Sequence, residues 1–219
     1  MNLLLKLQTI LLSFVINFIK GDYYHNVSKF YEIYKIWNNI KLDSIKGNYI
    51  EFGVYKGKSL IHSYKTYKKI FKETPNINIK FFGLDSFEGF PVENHDFYSS
   101  SNFAVSSEKV INNFKKYEQI EIIEGYFNEV LDSNENLIDN QFSFVFIDCD
   151  IYESSLDIFK YIKGKIANGG FIMIDDFTSI DKNGNSIQKA FNQYFSINKD
   201  VILFDFYSNG QVFRVINNG

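Results

Sequence analysis

The sequence predicts an α/β fold: a mostly parallel sheet with helices on both faces, finished by an antiparallel hairpin. Three observations carry this. Short apolar runs alternate with helix-length amphipathic segments between residues 49 and 195, the order that builds parallel sheets. The run Phe142 to Ile147 is apolar except for Ser143, as expected of a strand covered on both faces. The last two runs, Val201 to Phe206 and Gln211 to Val215, flank Asn209-Gly210. That dipeptide tolerates positive φ and favours a tight hairpin.

The first segment, Met1 to Lys20, is strongly apolar, yet Asn2, Lys6, Thr9, Ser13, Asn17 and Lys20 recur every three or four positions. This is a narrow polar stripe on a helix with a wide apolar face. Its unbroken apolar runs are far shorter than the ~18 residues of a membrane span, and it has neither a basic leader nor a small-residue cleavage site. The expectation is a helix packed against the domain or against a second copy in a homodimer, with a helix lying on a membrane surface as the alternative. In Tyr31 to Ile40, the spacing of Tyr31, Ile33, Tyr34 and Trp37 predicts a second buried helix face. Residues 1–45 thus form a helical segment ahead of a main domain, 46–219.

Within that domain the predicted order is strand Tyr49–Phe52, helix Ser59–Phe71 and strand Ile79–Leu84, then an irregular stretch from Asp85 to Ser106. Helix Ser107–Tyr117, strand Ile120–Ile123 and strand Phe142–Ile147 follow. Helix Ser154–Ile162 opens on Ser154 and Asp157, spaced like a capping box. Strand Phe171–Ile174, helix Ile187–Phe195 and the hairpin complete the chain.

At 219 residues the chain suits one sizeable domain. A net charge of −3 and the lack of a basic stripe argue against a nucleic-acid partner. The single cysteine, Cys149, excludes an internal disulfide and a cysteine-based zinc site, and it fits a reducing, cytoplasmic setting.

Four constellations stand at predicted strand ends. Glu51-Phe52-Gly53-Val54-Tyr55-Lys56-Gly57 joins a strand to a helix. Glycine there admits close backbone approach, and the helix start offers free N–H groups; Glu51 could attract the cationic amino group of a ligand. Asp85, in Gly83-Leu84-Asp85-Ser86-Phe87, ends the next strand, where an acid can bind both hydroxyls of a ribose. Gly125, Tyr126 and Phe127 end the third and could form a slot for a flat base. The sharpest signal is Asp148-Cys149-Asp150 after one strand and Asp175-Asp176 after the next. Adjacent strands lie about 4.8 Å apart, so these acids should converge. Crowded carboxylates need a cation or raised pKa values. An all-oxygen set suits Mg²⁺, Ca²⁺ or Mn²⁺.

A parallel sheet ended by an antiparallel hairpin is the arrangement of Rossmann-like class I methyltransferases. The chain resembles, more narrowly, the macrocin-type O-methyltransferases that act on sugar hydroxyls. The resemblance rests on residues 49–59, Gly83 to Pro91, Glu124 to Phe127, Phe146 to Ser155 and Gly169 to Phe177, in order from 49 to 177. It implies S-adenosylmethionine bound around Glu51, Gly53, Tyr55, Gly57 and Ser59, with its ribose on Asp85 and Ser86, and Gly125, Phe127 and Asp148 close by. It implies Mg²⁺, or another divalent cation, on Asp148, Asp175 and Asp176, and a small-molecule or glycan acceptor. The stretch after Phe177 lacks recognisable family features.

Methyl transfer to oxygen requires removal of the hydroxyl proton, and Asp148 is the first candidate base, with His95 the second. The long stretch after Asp85 carries Phe87, Phe90, Phe97, Tyr98 and Phe103 and reads as a lid. His25 and His62 fall in helical segments and read as ordinary packed or surface residues. Three rival readings are a glycosyltransferase using Asp148-x-Asp150, a nitrogen methyltransferase and a non-catalytic module. Against the first stand the Glu51 to Gly57 turn and the second acidic pair; against the second, the absence of proline near Asp148.

Overall fold

A computed structural model of the chain describes residues 21–74, 77–90 and 103–217, with six helical positions between 7 and 15. The expected first helix therefore falls mostly outside the described residues; of its apolar positions, Leu7, Ile10, Leu11 and Val15 are exposed. No described helix is long and apolar enough to cross a membrane.

The chain opens with α1 (Gly21–Leu42), then β1 (Asn48–Phe52), α2 (Lys58–Ile70), β2 (Phe81–Asp85), α3 (Ser107–Phe114) and β3 (Ile120–Glu124). Two single-turn helices, α4 (Phe127–Val130) and α5 (Glu135–Ile138), precede β4 (Phe142–Ile147). Next come α6 (Tyr152–Ile162), β5 (Ile166–Ile174), α7 (Ile187–Tyr194), β6 (Val201–Tyr207) and β7 (Gly210–Val215). The strands form one seven-stranded sheet in the order β3-β2-β1-β4-β5-β7-β6, with β1 to β5 parallel and β7 antiparallel to both neighbours.

Alternation along the strands splits the core in two. Ile50, Phe52, Val145, Ile147, Ile172 and Ile174 face α6 and α7, whose Ile158, Phe159, Ile162 and Phe191 are buried there. Tyr49, Phe144, Phe146, Phe171 and Met173 face α1, α2 and α3. Ser143, the polar residue in the buried β4, donates to the Gly47 carbonyl at 3.0 Å, which removes the cost of burying its hydroxyl.

Helix α1 is anchored by Ile33, Ile36, Trp37 and Ile40, the 3-4 spacing of one helix face. Trp37 packs its ring among Tyr49, Tyr67, Phe71, Phe81 and Phe144, and its indole N–H donates to Ser63 at 2.9 Å. Tyr31 and Tyr34, expected on this face, are exposed and stack on each other instead. They sit roughly 100° or more around the helix from Ile33, outside the buried stripe.

Two local expectations also shift. Helix α6 starts at Tyr152 with Ile151 as N-cap and no side-chain cap, so Ser154 lies inside the first turn and no capping box forms. In the hairpin Tyr207 pairs with Gly210, leaving Ser208 and Asn209 as the loop. Ser208 takes the positive φ (45°). Gly210 is needed for another reason: a Cβ there would lie 2.3 Å from the Tyr207 ring.

Candidate active site

The strand order reverses between β1 and β4, the switch point where open α/β sheets bind ligands beyond the carboxyl ends of their strands. Register makes the placement explicit. Leu84, Phe52, Ile147 and Ile174 form one paired row across β2, β1, β4 and β5. The next residue on each strand is Asp85, Gly53, Asp148 and Asp175. The ladder continues into this row: the amides of Gly53, Asp148 and Asp175 donate to Leu84, Phe52 and Ile147 at 2.8–2.9 Å. Three carboxylates and one glycine thus share a level at the sheet's rim.

Over this rim lies a cavity of about 600 Å³, within the range of small-molecule sites. Of the residues singled out in the sequence, Gly53, Tyr55, Ser59, Asp85, Ser86, Gly125, Phe127, Asp148 and Asp150 line it. Gly53 has φ 90°, and a Cβ there would lie 1.9 Å from the Asp148 carbonyl oxygen, so no other residue fits between β1 and β4. Asp85 is held by its own neighbourhood: Oδ2 accepts from Tyr55 N and Oδ1 from Phe87 N, each at 2.7 Å. Burial raises its pKa, with those amides opposing. A carboxylate has about four lone-pair sites, so acceptor capacity remains. Phe127 packs edge-on against Phe52 and presents its other side to the cavity. Phe90 and Phe103, the described flanks of the expected lid, line the cavity too. His95, Phe97 and Tyr98 lie outside the described residues.

Glu51 and Gly57 do not line the cavity; they support it from beneath. Gly57 starts α2 at φ 76°, where a Cβ would strike the Phe114 ring at 2.4 Å. Glu51 is fully buried and accepts from the hydroxyls of Tyr49 (2.5 Å) and Ser59 (2.6 Å). Burial pushes it up to about 7, with the two hydroxyls opposing. A raised acid favours the neutral form in the fold, so its contribution is full below the ordinary value near 4.5 and fades as pH rises through about 7. Glu51→Gln should therefore match wild type in thermal unfolding at about pH 5 and exceed it at about pH 9. The difference at about pH 9 should be about 3 kcal/mol. A Tm difference independent of pH would refute this.

At the acidic end the side chains of Asp148 and Asp175 do meet, but around an amine. The Lys29 ammonium, from α1, contacts Asp148 Oδ2 at 3.1 Å and, more closely, Asp175 Oδ2. His25 Nε2 adds a contact to Asp175 Oδ2 at 3.2 Å. Burial pushes Asp148 up to about 8 against the pull of Lys29. Asp175, although burial raises it, is drawn well below the usual range by the His25 hydrogen bond and the Lys29 charge. Asp176, at φ 45°, accepts from Asn209 Nδ2 at 3.4 Å and does not line the cavity. Among the described residues no group of three or more Asp, Glu, His or Cys side chains is arranged to hold a metal ion. The expected three-carboxylate set is thus a converging pair here, because Lys29 supplies the positive charge the sequence argument gave to a metal.

Lys29 and Tyr207 were missed in the sequence, and His25, read there as an ordinary packed or surface residue, stands on Asp175 instead. His25 and Lys29 are four residues apart, on one face of α1. Their signal was a basic i, i+4 pair on the turns that lead into the buried stripe. Tyr207, on the hairpin, is buried; its hydroxyl makes no hydrogen bond of ordinary geometry. Burial and then the charge of Asp175 hold its pKa well above the usual value. His62 is the packed residue expected, stacked on Phe30 at 4.2 Å.

The family described as Macrocin-O-methyltransferase (TylF) matches residues 27–214. The chain belongs to this family. The chain is also similar to the 8-demethyl-8-(2,3-dimethoxy-alpha-L-rhamnosyl)-tetracenomycin-C 4'-O-methyltransferase of Streptomyces olivaceus. The two are 26% identical over 149 residues, 62% of this chain and 54% of that protein. The chain spans about half the length of the curated relatives it matches. In fold, the macrocin-type chain is similar to the O-methyltransferase NovP: TM-score 0.69, 21% identity, 87% of this chain and 81% of that one covered. It also resembles a Bacillus cereus O-methyltransferase in complex with SAH, with TM-score 0.54, 16% identity and coverages of 85% and 80%. The family match extends past Phe177 to Arg214, beyond the motifs that carried the resemblance.

Proposed function

We propose that this chain transfers a methyl group from S-adenosylmethionine to a hydroxyl of a sugar or natural-product acceptor. The observation that carries the reading is the single row Asp85, Gly53, Asp148, Asp175 at the sheet's rim, the first three of which line one cavity. Family membership and the rhamnosyl-directed relative support it, as does the SAH held by a protein of the same fold.

When bound, S-adenosylmethionine supplies a methyl group on a positively charged sulfur, and a divalent cation would supply Lewis acidity at the acceptor oxygen. The oxygen donors of Asp148 and Asp175 suit Mg²⁺ in kind, but the Lys29 ammonium fills the gap between them and no described group of three or more such side chains is arranged to hold an ion, so no step is routed through a metal.

The chain's own residues do the rest. Asp85, pinned by Tyr55 and Phe87, presents its remaining lone pairs to the ribose hydroxyls. Gly53 admits the donor's amino-acid end against the β1 backbone, and Gly125 with Phe127 flanks the base. Asp148 faces the cavity, and burial raises its pKa above the usual carboxylate range, the direction that strengthens a carboxylate as a general base. It takes the acceptor's hydroxyl proton as the new C–O bond forms and the S–C bond breaks. Alignment of the two reactants supplies much of the rate.

The direct test is incubation with S-adenosylmethionine labelled in its methyl group and a panel of deoxysugar-bearing acceptors. Label in an acid-stable ether on a sugar oxygen is the expected result. Absence of any SAH binding together with tight binding of a sugar nucleotide would overturn the reading in favour of a glycosyltransferase.

A further inference from the structure

We propose that Lys29 is a positioning residue of the methyl transfer: its ammonium, clamped on Asp175, orients the Asp148 carboxylate toward the acceptor hydroxyl, and the reaction needs no divalent ion. The inference rests on the methyl-transfer reading above and deepens it at the same site.

The two acids are not equivalent. Asp148 lines the cavity and its side chain keeps 21 % exposure, whereas Asp175 stands behind at 2 % and does not line it. The Lys29 ammonium contacts Oδ2 of both. It therefore ties the acid that meets the acceptor to one that does not. Asp175 is itself fixed: its amide donates to the Ile147 carbonyl at 2.8 Å, and its Oδ2 meets His25 Nε2 at 3.2 Å. One oxygen of Asp148 is thus held, and the other is the one left for the acceptor's proton.

The amine belongs to the fold. Lys29 stands about one turn ahead of Ile33, the first residue of the stripe that anchors α1 in the aromatic core. The adjacent Phe30 stacks on His62 at 4.2 Å, and Lys29 Nζ lies 5.7 Å from the centre of the Phe146 ring on β4. Stability alone does not account for the arrangement, because buried ions are often no better for folding than apolar side chains of similar volume. Crowded carboxylates require positive charge, and Lys29 brings it from within the chain. It fills the gap in which an ion shared by the two acids would sit, and no third described ligand is arranged beside them.

The step balances with these residues alone. Asp148 gains the hydroxyl proton, the acceptor oxygen forms the C–O bond, and sulfur keeps the electron pair of the broken S–C bond. Lys29 neither gives nor takes a proton. It holds the base in line, and its charge offsets the negative charge that gathers on the oxygen.

The test follows methyl transfer from labelled S-adenosylmethionine to the deoxysugar-bearing acceptors in wild type, Lys29→Met and Lys29→Met/Asp175→Asn, each first checked for SAH binding. Methionine keeps the apolar stem and removes the charge. The wild type should keep its full rate in excess EDTA. Lys29→Met should lose at least about tenfold in kcat, since misplacing a reacting group by about 1 Å can cost about a hundredfold, with acceptor KM and SAH affinity little changed. Because Asp175 acts through the ammonium, the double variant should be little slower than Lys29→Met, as for residues of one network. Calorimetric titration of Mg²⁺ into the SAH-bound wild type, which needs neither a variant nor an acceptor, should show no saturable binding. Activity lost in EDTA and restored by Mg²⁺, saturable Mg²⁺ binding, a smaller loss of kcat in Lys29→Met or fully additive losses would overturn the proposal. If SAH still bound and label still reached a sugar oxygen, the methyl-transfer reading would stand; no SAH binding by the wild type would remove both.

Discussion

Replacing Asp85 with alanine is expected to weaken SAH binding at least about a hundredfold while leaving the chain folded. Each hydrogen bond from a hydroxyl to a charged group contributes about 1.5–3 kcal/mol, and a ribose offers two. The aspartate also fixes the backbone on which the donor rests, because it accepts from the amides of Tyr55 and Phe87. Tyr55 takes φ 49° and Phe87 φ 60°, conformations that non-glycine residues adopt at a cost. Without the carboxylate both turns lose the bond that offsets that strain. Asp85→Asn is the informative companion: its amide can still accept from one of the two backbone amides, so it should lose less than alanine does. Calorimetry with SAH reads both, and an alanine variant within threefold of wild type would exclude a ribose role.

Asp148→Asn should lower kcat by about 10²–10⁴, the usual range for a positioned general base, with SAH affinity changed by only a few fold. An amide cannot take the acceptor proton. The split between rate and donor binding is what separates a base from a cavity wall. Equal loss of both would place Asp148 in donor binding alone. Thermal unfolding should accompany the kinetics, since Lys29 loses one of its two anionic partners, and a buried charge with fewer partners is costly.

Much of this site could be read in the chain. Strands covered on both faces announce themselves as apolar runs, and an acid or glycine directly after such a run stands at the sheet's rim. That logic found Gly53, Asp85, Asp148 and Asp175, and the paired row beneath them explains why: equal register turns a sequence position into a spatial level. Glu51 shows where the logic ends. Glu51 points to the same face of the sheet as Tyr49, where it is covered by α2 and bonded to Tyr49 and Ser59, so its carboxylate lies under the floor. His25 and Lys29 were illegible for a different reason. Nothing local ties α1 to strands more than a hundred residues later, and the helix's docking angle is set by Trp37 and its aromatic neighbours. Charge balance was correctly demanded by the acids, but sequence could not say which cation would answer. The hairpin turn slipped by one residue because Asn209-Gly210 satisfied the positive-φ rule, whereas Gly210 is there to clear a ring.

That ring links the far edge of the sheet to the chemistry. Tyr207 stands behind Asp175, and the room it occupies exists because position 210 carries no side chain. A side chain at position 210 would displace the Tyr207 phenol, the buried neighbour of Asp175. The strands added last in the chain thus act as the backstop of its acidic centre, and a change at this loop would be felt at Asp175.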